Sequence, residues 1–99
     1  MKPLTREEVR DRMPLLPAWS TDPEFRELRR EFRFRNYYET MAFVNAVAWI
    51  AHGADHHPDL EVGYNRCVVR YSTHDAGGLT EKDFASALKV SALEPDLTR

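Results

Sequence analysis

All four histidines of this 99-residue chain lie between positions 52 and 74: His52, His56, His57 and His74. Histidine is the side chain whose unperturbed pKa lies near neutrality, so it both gives and takes protons at physiological pH. Two or three imidazoles in one cleft suit a reaction that delivers one proton and removes another. Asp55, Ser72, Thr73, Asp75 and Asp83 flank them with further polar groups. The bland alternative is that a His-His pair in a loop is solvated and a lone histidine is a surface or satisfied core group. The clustering of all four weakens that alternative without removing it.

A metal site is the next reading to weigh. His52 and His56 stand four apart, the spacing that puts two imidazoles on one helical face, and His74 and Asp75 are the obvious further ligands. The zinc-protease motif requires Glu directly after its first histidine, and Gly53 stands there instead. Cys67 is the only cysteine, so neither an intramolecular disulfide nor a cysteine-based zinc site can form within one chain. The expectation is no metal. Gly77-Gly78 makes no phosphate loop, and none of Ser20, Ser72, Ser86 or Ser91 stands in a nucleophile elbow. Cys67, Trp19, Trp49 and the phenylalanines read as core. Tyr64 is open between strand packing and lining a flat-ring pocket.

The elements that must position these residues are legible from caps and periodicity. Three capping residues are each followed three positions later by an acid: Thr5 with Glu8, Asn36 with Glu39, Thr80 with Asp83. The first helix is expected from about Arg6 to Arg12, ended by Pro14 and Pro17. The second is expected from Tyr37 to His52, with Met41, Val44, Val47, Ala48 and Ala51 at helical spacing and Gly53 as terminator. Phe43, Ala46 and Ile50 widen its apolar surface enough to need cover on more than one side. The third runs from Glu81 to Leu93, with Phe84, Ala87, Leu88 and Ser91 on one side, stopped by Pro95. A short strand is expected at Ala18 to Thr21. A longer one starts at Leu28, where Leu28, Arg30, Phe32 and Phe34 alternate with Arg29, Glu31 and Arg33. Leu60, Val62 and Tyr64 alternate, Asn65-Arg66 turns the chain, and Cys67, Val69 and Tyr71 alternate again, a hairpin signal. The order α-β-β-α-β-β-α implies an α+β fold with a four-stranded antiparallel sheet and three helices on one face.

Length argues for a single domain over residues 1–99. Apolar residues at 42% and charged residues at 30% make an ordinary globular balance, and a net charge of −2 with interspersed signs gives no case for nucleic acid or an anionic membrane. The stretch Met41 to Ala51 is too short to span a bilayer, and residues 1–8 lack the apolar core of a signal peptide. A cytoplasmic protein is expected.

With these residues in view, the chain resembles the pterin-4a-carbinolamine dehydratases. Their motif is matched by His52, then Asp55-His56-His57-Pro58, then Tyr64, then Ser72-Thr73-His74-Asp75, then Asp83, each at the family's spacing. The likeness covers nearly the whole chain and is weakest before about Phe25. His52 stands where many relatives carry Glu. The resemblance implies the same α+β fold, a homodimer or homotetramer, a small-molecule pterin substrate and no cofactor. It implies a 4a-hydroxytetrahydropterin dehydratase acting in tetrahydropterin recycling, with His56, His57 and His74 lining the pocket. His57 would bind and polarise the substrate hydroxyl, and His56 and His74 would act as acid and base. Asp55, Ser72, Thr73 and Asp75 would contact the ring, and His52, Pro58, Tyr64 and Asp83 would support the site. Asp83 would orient a histidine or simply cap its helix. The fold is also used by non-catalytic binding modules, a transcriptional dimerisation cofactor and a carbon-fixation assembly factor, which is the alternative reading.

Overall fold

A computed structural model describes residues 2–94. In chain order it contains α1 (Arg6–Arg12), a 3₁₀ turn (Met13–Leu15), β1 (Ser20–Thr21), β2 (Leu28–Arg33) and α2 (Tyr37–Ala54). These are followed by β3 (Asp59–Val62), β4 (Arg66–Tyr71), a second 3₁₀ turn (His74–Ala76) and α3 (Glu81–Ser91). The α+β reading and its element order hold. The strands form one antiparallel sheet in the order β1-β2-β4-β3, so β4 is central and β3 is an edge.

Strand parity decides which residues enter the core. Leu28 pairs with Tyr71, Phe32 with Cys67, and Leu60 with Val69, so these side chains share one face. That face meets Val9 of α1, Phe43 and Val47 of α2, and Phe84, Ala87 and Val90 of α3. All three helices therefore lie on the same side. Arg30, the charged member of the inward row of β2, lays its guanidinium 4.2 Å from the Phe32 ring centroid and bonds Glu94 at 2.5 Å. A cation can occupy an inward position there because an aromatic face and a carboxylate both receive it. On the outer face Val68 is fully buried, flanked in register by Glu31 and Glu61, with Arg66 paired to both.

Several boundaries differ from the sequence reading. Gly53 does not end the second helix; α2 continues to Ala54 and Asp55 takes the left-handed conformation at φ 51°. The His56 N–H bonds Ala51 O at 3.1 Å and the Asp55 N–H bonds His52 O at 3.3 Å, which satisfies the terminal carbonyls. An Asp tolerates this backbone better than most residues, because its short polar side chain bonds locally. The hairpin turn is Gly63-Tyr64-Asn65, since Arg66 already belongs to β4 and receives the Gly63 N–H on its carbonyl at 2.8 Å. Helix α3 ends at Ser91; Pro95, expected to stop it, lies outside the described residues. On α3 it is Val90 that is buried, while Leu88 is 42% exposed. Trp49, expected in the core, is 77% exposed on α2, because the buried row of that helix is Thr40, Phe43 and Val47.

Two weak acids of the central strand are buried. Burial pushes the Cys67 thiol up from 9.0 to about 11, so it is no thiolate nucleophile at neutral pH. Burial, reinforced by the Asp83 charge, pushes the Tyr71 phenol up from 10.0 to about 12. Both folded values lie above the unfolded ones, so the stability they contribute is complete below pH 9 and is lost as pH rises towards 12. The loss is about 1.4 kcal/mol per pH unit for each group, because the unfolded chain alone releases the proton. Urea midpoints measured from pH 8 to 11 should fall, and Cys67→Ala and Tyr71→Phe should each flatten the fall; a midpoint independent of pH in the unsubstituted chain would contradict this.

Candidate active site

The left-handed turn at Asp55 sets the site. By reversing the chain directly after α2, it delivers His56 under the sheet end and leaves His57-Pro58 to lead into β3. Because β3 and β4 are antiparallel, the start of β3 and the end of β4 lie together, with Asp59 opposite Arg70. The segment Ser72 to His74 therefore leaves the sheet at the same end where His56 arrives. Helix α3 begins there too, with Asp83 in its first turn.

Asp83 is completely buried and is bonded through both carboxylate oxygens. His56 Nε2 donates to Oδ1 at 2.6 Å; the carboxylate can only accept, so this nitrogen carries the proton. Oδ2 accepts from the Thr73 hydroxyl at 2.7 Å and from the Thr80 backbone N–H at 2.9 Å. Because Thr73 spends its proton on Asp83, the Thr80 hydroxyl donates to Thr73 across their 2.9 Å contact. A buried carboxylate is tolerable only when its lone pairs are matched in this way. The two roles weighed for Asp83, capping and orienting a histidine, are thus filled by one side chain. The face of His56 lies near-parallel to the buried Tyr71 ring, with centroids 5.7 Å apart and planes 20° apart.

A hollow of about 380 Å³ opens beside this pair. Val47, Ala48 and Ala51 of α2 and Leu60 of β3 give it apolar walls, and His52, Asp55, His56, His57 and Pro58 form its polar side. A small, flat, largely apolar ring with a few polar edges fits such a space. His56 is only 12% exposed, while His57 and His52 are open to solvent. His52 lies beside the exposed Trp49, with centroids 6.0 Å apart. The one hydrogen bond of the His57 ring among the described residues is a long one, between Nδ1 and the Pro58 carbonyl at 3.5 Å, which leaves the ring available.

His74 is not in that hollow. It borders a second one, of about 290 Å³, with Ser72, Thr73, Gly77 and Gly78 and with Asp22, Arg26 and Glu27 from the loop before β2. The two hollows are connected through Asp83, which holds His56 on one oxygen and Thr73, the neighbour of His74, on the other. Asp75 is exposed and borders neither hollow. Tyr64 is remote from the histidines: it sits in the hairpin turn and stacks on Tyr37 at the start of α2, with centroids 6.4 Å apart. That is roughly 23 Å of helix axis away from His52. Among the described residues no three His, Cys, Asp or Glu side chains gather as a metal-ligand group, so His52, His56, His74 and Asp75 do not form one. No described helix is long and apolar enough to cross a membrane.

Thr80, Tyr71, Arg26 and Glu27 join the site without any catalytic motif in the sequence to mark them. Tyr71 was readable in principle, since it has the inward parity of Cys67 and Val69 and directly precedes Ser72-Thr73-His74. Arg26 and Glu27 were not, because only the β1–β2 loop conformation brings them to the end of β4.

Comparison with known proteins gives the family. The family model for pterin 4 alpha carbinolamine dehydratase matches residues 2–93. A Stenotrophomonas maltophilia protein, provisionally named a pterin-4-alpha-carbinolamine dehydratase, is 60% identical over 85 residues, 86% of this chain and 73% of its own length. A Nitrosospira multiformis protein with the same provisional name is 54% identical over 93 residues, covering 94% of this chain and 80% of that one. Among solved structures, a Brucella melitensis protein described as a transcriptional coactivator/pterin dehydratase superposes with a TM-score of 0.88 at 30% identity, over 93% of this chain and 98% of that one. A pterin dehydratase-like protein described as a RuBisCO assembly factor of the α-carboxysome shares the fold, with a TM-score of 0.67 at 24% identity over 80% of this chain and 92% of its own. With a family model spanning almost all of its length and a buried Asp–His pair beside a ring-sized hollow, this chain belongs to the pterin-4a-carbinolamine dehydratase family.

Proposed function

We propose that this protein is a dehydratase that eliminates water from a 4a-hydroxytetrahydropterin. The C4a–O bond breaks, a proton is delivered to the departing hydroxyl, N5 gives up its proton, and a C4a–N5 double bond forms in the quinonoid dihydropterin. No electrons are exchanged with a second reactant, so no redox cofactor enters. The observation that carries the reading is the 2.6 Å His56–Asp83 bond at the wall of a hollow sized for a flat ring.

In this reading the Asp83 carboxylate fixes which nitrogen of His56 holds its proton and offsets the charge of the imidazolium that forms when His56 takes a second one. His56 then works through Nδ1, the nitrogen not engaged by Asp83. His57 binds and polarises the C4a hydroxyl. His74 supplies the second acid-base group from the neighbouring hollow, where Ser72 and Thr73 offer polar contacts, while Asp55 offers one at the first hollow and His52 adjusts the charge at its rim; Asp75, which borders neither hollow, has no part in this reading. The alternative role as a binding or assembly module makes no demand on a buried Asp–His pair, which favours catalysis.

His57→Ala should lower turnover of freshly generated 4a-hydroxytetrahydropterin by roughly 10²- to 10⁴-fold, with an unchanged circular dichroism spectrum and no sensitivity of the parent enzyme to chelators. Full activity in that variant would sink the assignment. His74→Ala separates the two hollows: a loss above about tenfold supports acid-base groups from both chain segments, and native turnover removes His74 from the mechanism.

The reading extends to a homodimer or homotetramer. Its support is the apolar surface that one chain leaves open: Trp49 is 77% and Tyr38 84% exposed on α2, and Val62 is 43% exposed on the unpaired edge strand β3. Light scattering should give a mass of two or four chains, reduced by Trp49→Glu; a monomeric parent chain at micromolar concentration would contradict it.

A further inference from the structure

Tyr71 carries an unusual combination. Its side chain has no solvent exposure, and its hydroxyl is the one buried side-chain polar atom without a hydrogen-bond partner among the described residues. A buried hydroxyl left unpaired is costly, so the contacts that favour this position are those of the ring. The ring meets Trp19 at 6.2 Å between centroids and lies near-parallel to His56 at 5.7 Å. It stands at the last position of the central strand, where the partner strand supplies Leu28. The rigid middle of the sheet therefore fixes where this ring sits.

We propose that Tyr71 is a positioning residue for His56: its ring face, set by β4, holds the imidazole in the plane that directs Nε2 at Asp83. An imidazole linked only to its own backbone and one carboxylate can still swing about χ2, because terminal sp³–sp² torsions are broad. A flat wall parallel to it removes that freedom. Tyr71 acts through His56 and touches no substrate in this account.

The inference rests on the acid-base role proposed for His56, and the experiment separates the two. In the wild-type protein, nuclear magnetic resonance should show cross-relaxation between the Tyr71 and His56 ring protons and a protected, downfield Nε2 proton shared with Asp83. Tyr71→Phe keeps the ring and should keep that signal; Tyr71→Leu, of smaller face, should lose it or move it into rapid exchange. In turnover, Tyr71→Leu should lower kcat about tenfold with KM within about twofold, and Tyr71→Phe should restore kcat. Loss of the signal without any turnover in the parent enzyme would refute the dehydratase reading and leave the positioning claim standing. An unaltered Nε2 signal in a folded Tyr71→Leu variant would overturn the positioning claim. Should that variant not fold, absence of Tyr71–His56 cross-relaxation in the wild type would overturn it by itself.

Discussion

The carboxylate of Asp83 is the constraint on which this end of the molecule depends. It is fully buried, and it is satisfied by three donors drawn from three chain segments: the His56 ring after α2, the Thr73 hydroxyl after β4, and the Thr80 N–H opening α3. Each donor comes from an element end whose own geometry is locally determined. Displacing any one of them leaves a buried carboxyl oxygen short of a hydrogen-bond partner, which is costly. One carboxylate therefore caps α3 through Oδ2 and holds the His56 ring through Oδ1.

Geometry elsewhere serves that convergence. Antiparallel pairing of β3 with β4 puts the loop before one strand and the loop after the other at the same sheet end. The left-handed Asp55 turns the chain sharply enough that the residue after it reaches α3. Tyr71 then closes one side of the imidazole from the central strand β4. The fold does not bring His74 into the hollow of His56 and His57; that residue lines a neighbouring space, tied to the first through Thr73 and Asp83.

Much of this was legible in the chain because the signals are local. Caps such as Thr5-Arg6-Glu7-Glu8 announce helix starts through bonds made within four residues. Alternation over Cys67, Val69 and Tyr71 fixes strand parity and hence the inward face. The misplaced features depend on non-local packing. Gly53 looked like a terminator, but helix α2 runs past it to the residue whose reversal lets His56 meet Asp83. Trp49 reads as core from its residue type and Leu88 shares a side with Phe84 and Ala87 by helical spacing, whereas helix rotation is set by which side meets the sheet. Tyr64 shares the motif spacing with the histidines, yet the hairpin carries it to the far end of α2. Motif spacing reports family membership; it does not report proximity.

The central claim is that Asp83 makes His56 a competent acid-base group as well as a folded one. Asp83→Asn, close to isosteric, replaces one acceptor oxygen with a donor and so must turn an N–H against one of the three donors it faces. Turnover of 4a-hydroxytetrahydropterin by this variant, measured on protein shown to unfold cooperatively, tests the account most directly. A fall in kcat of roughly 10²-fold or more is the predicted result; parental kcat in a folded Asp83→Asn protein would contradict it.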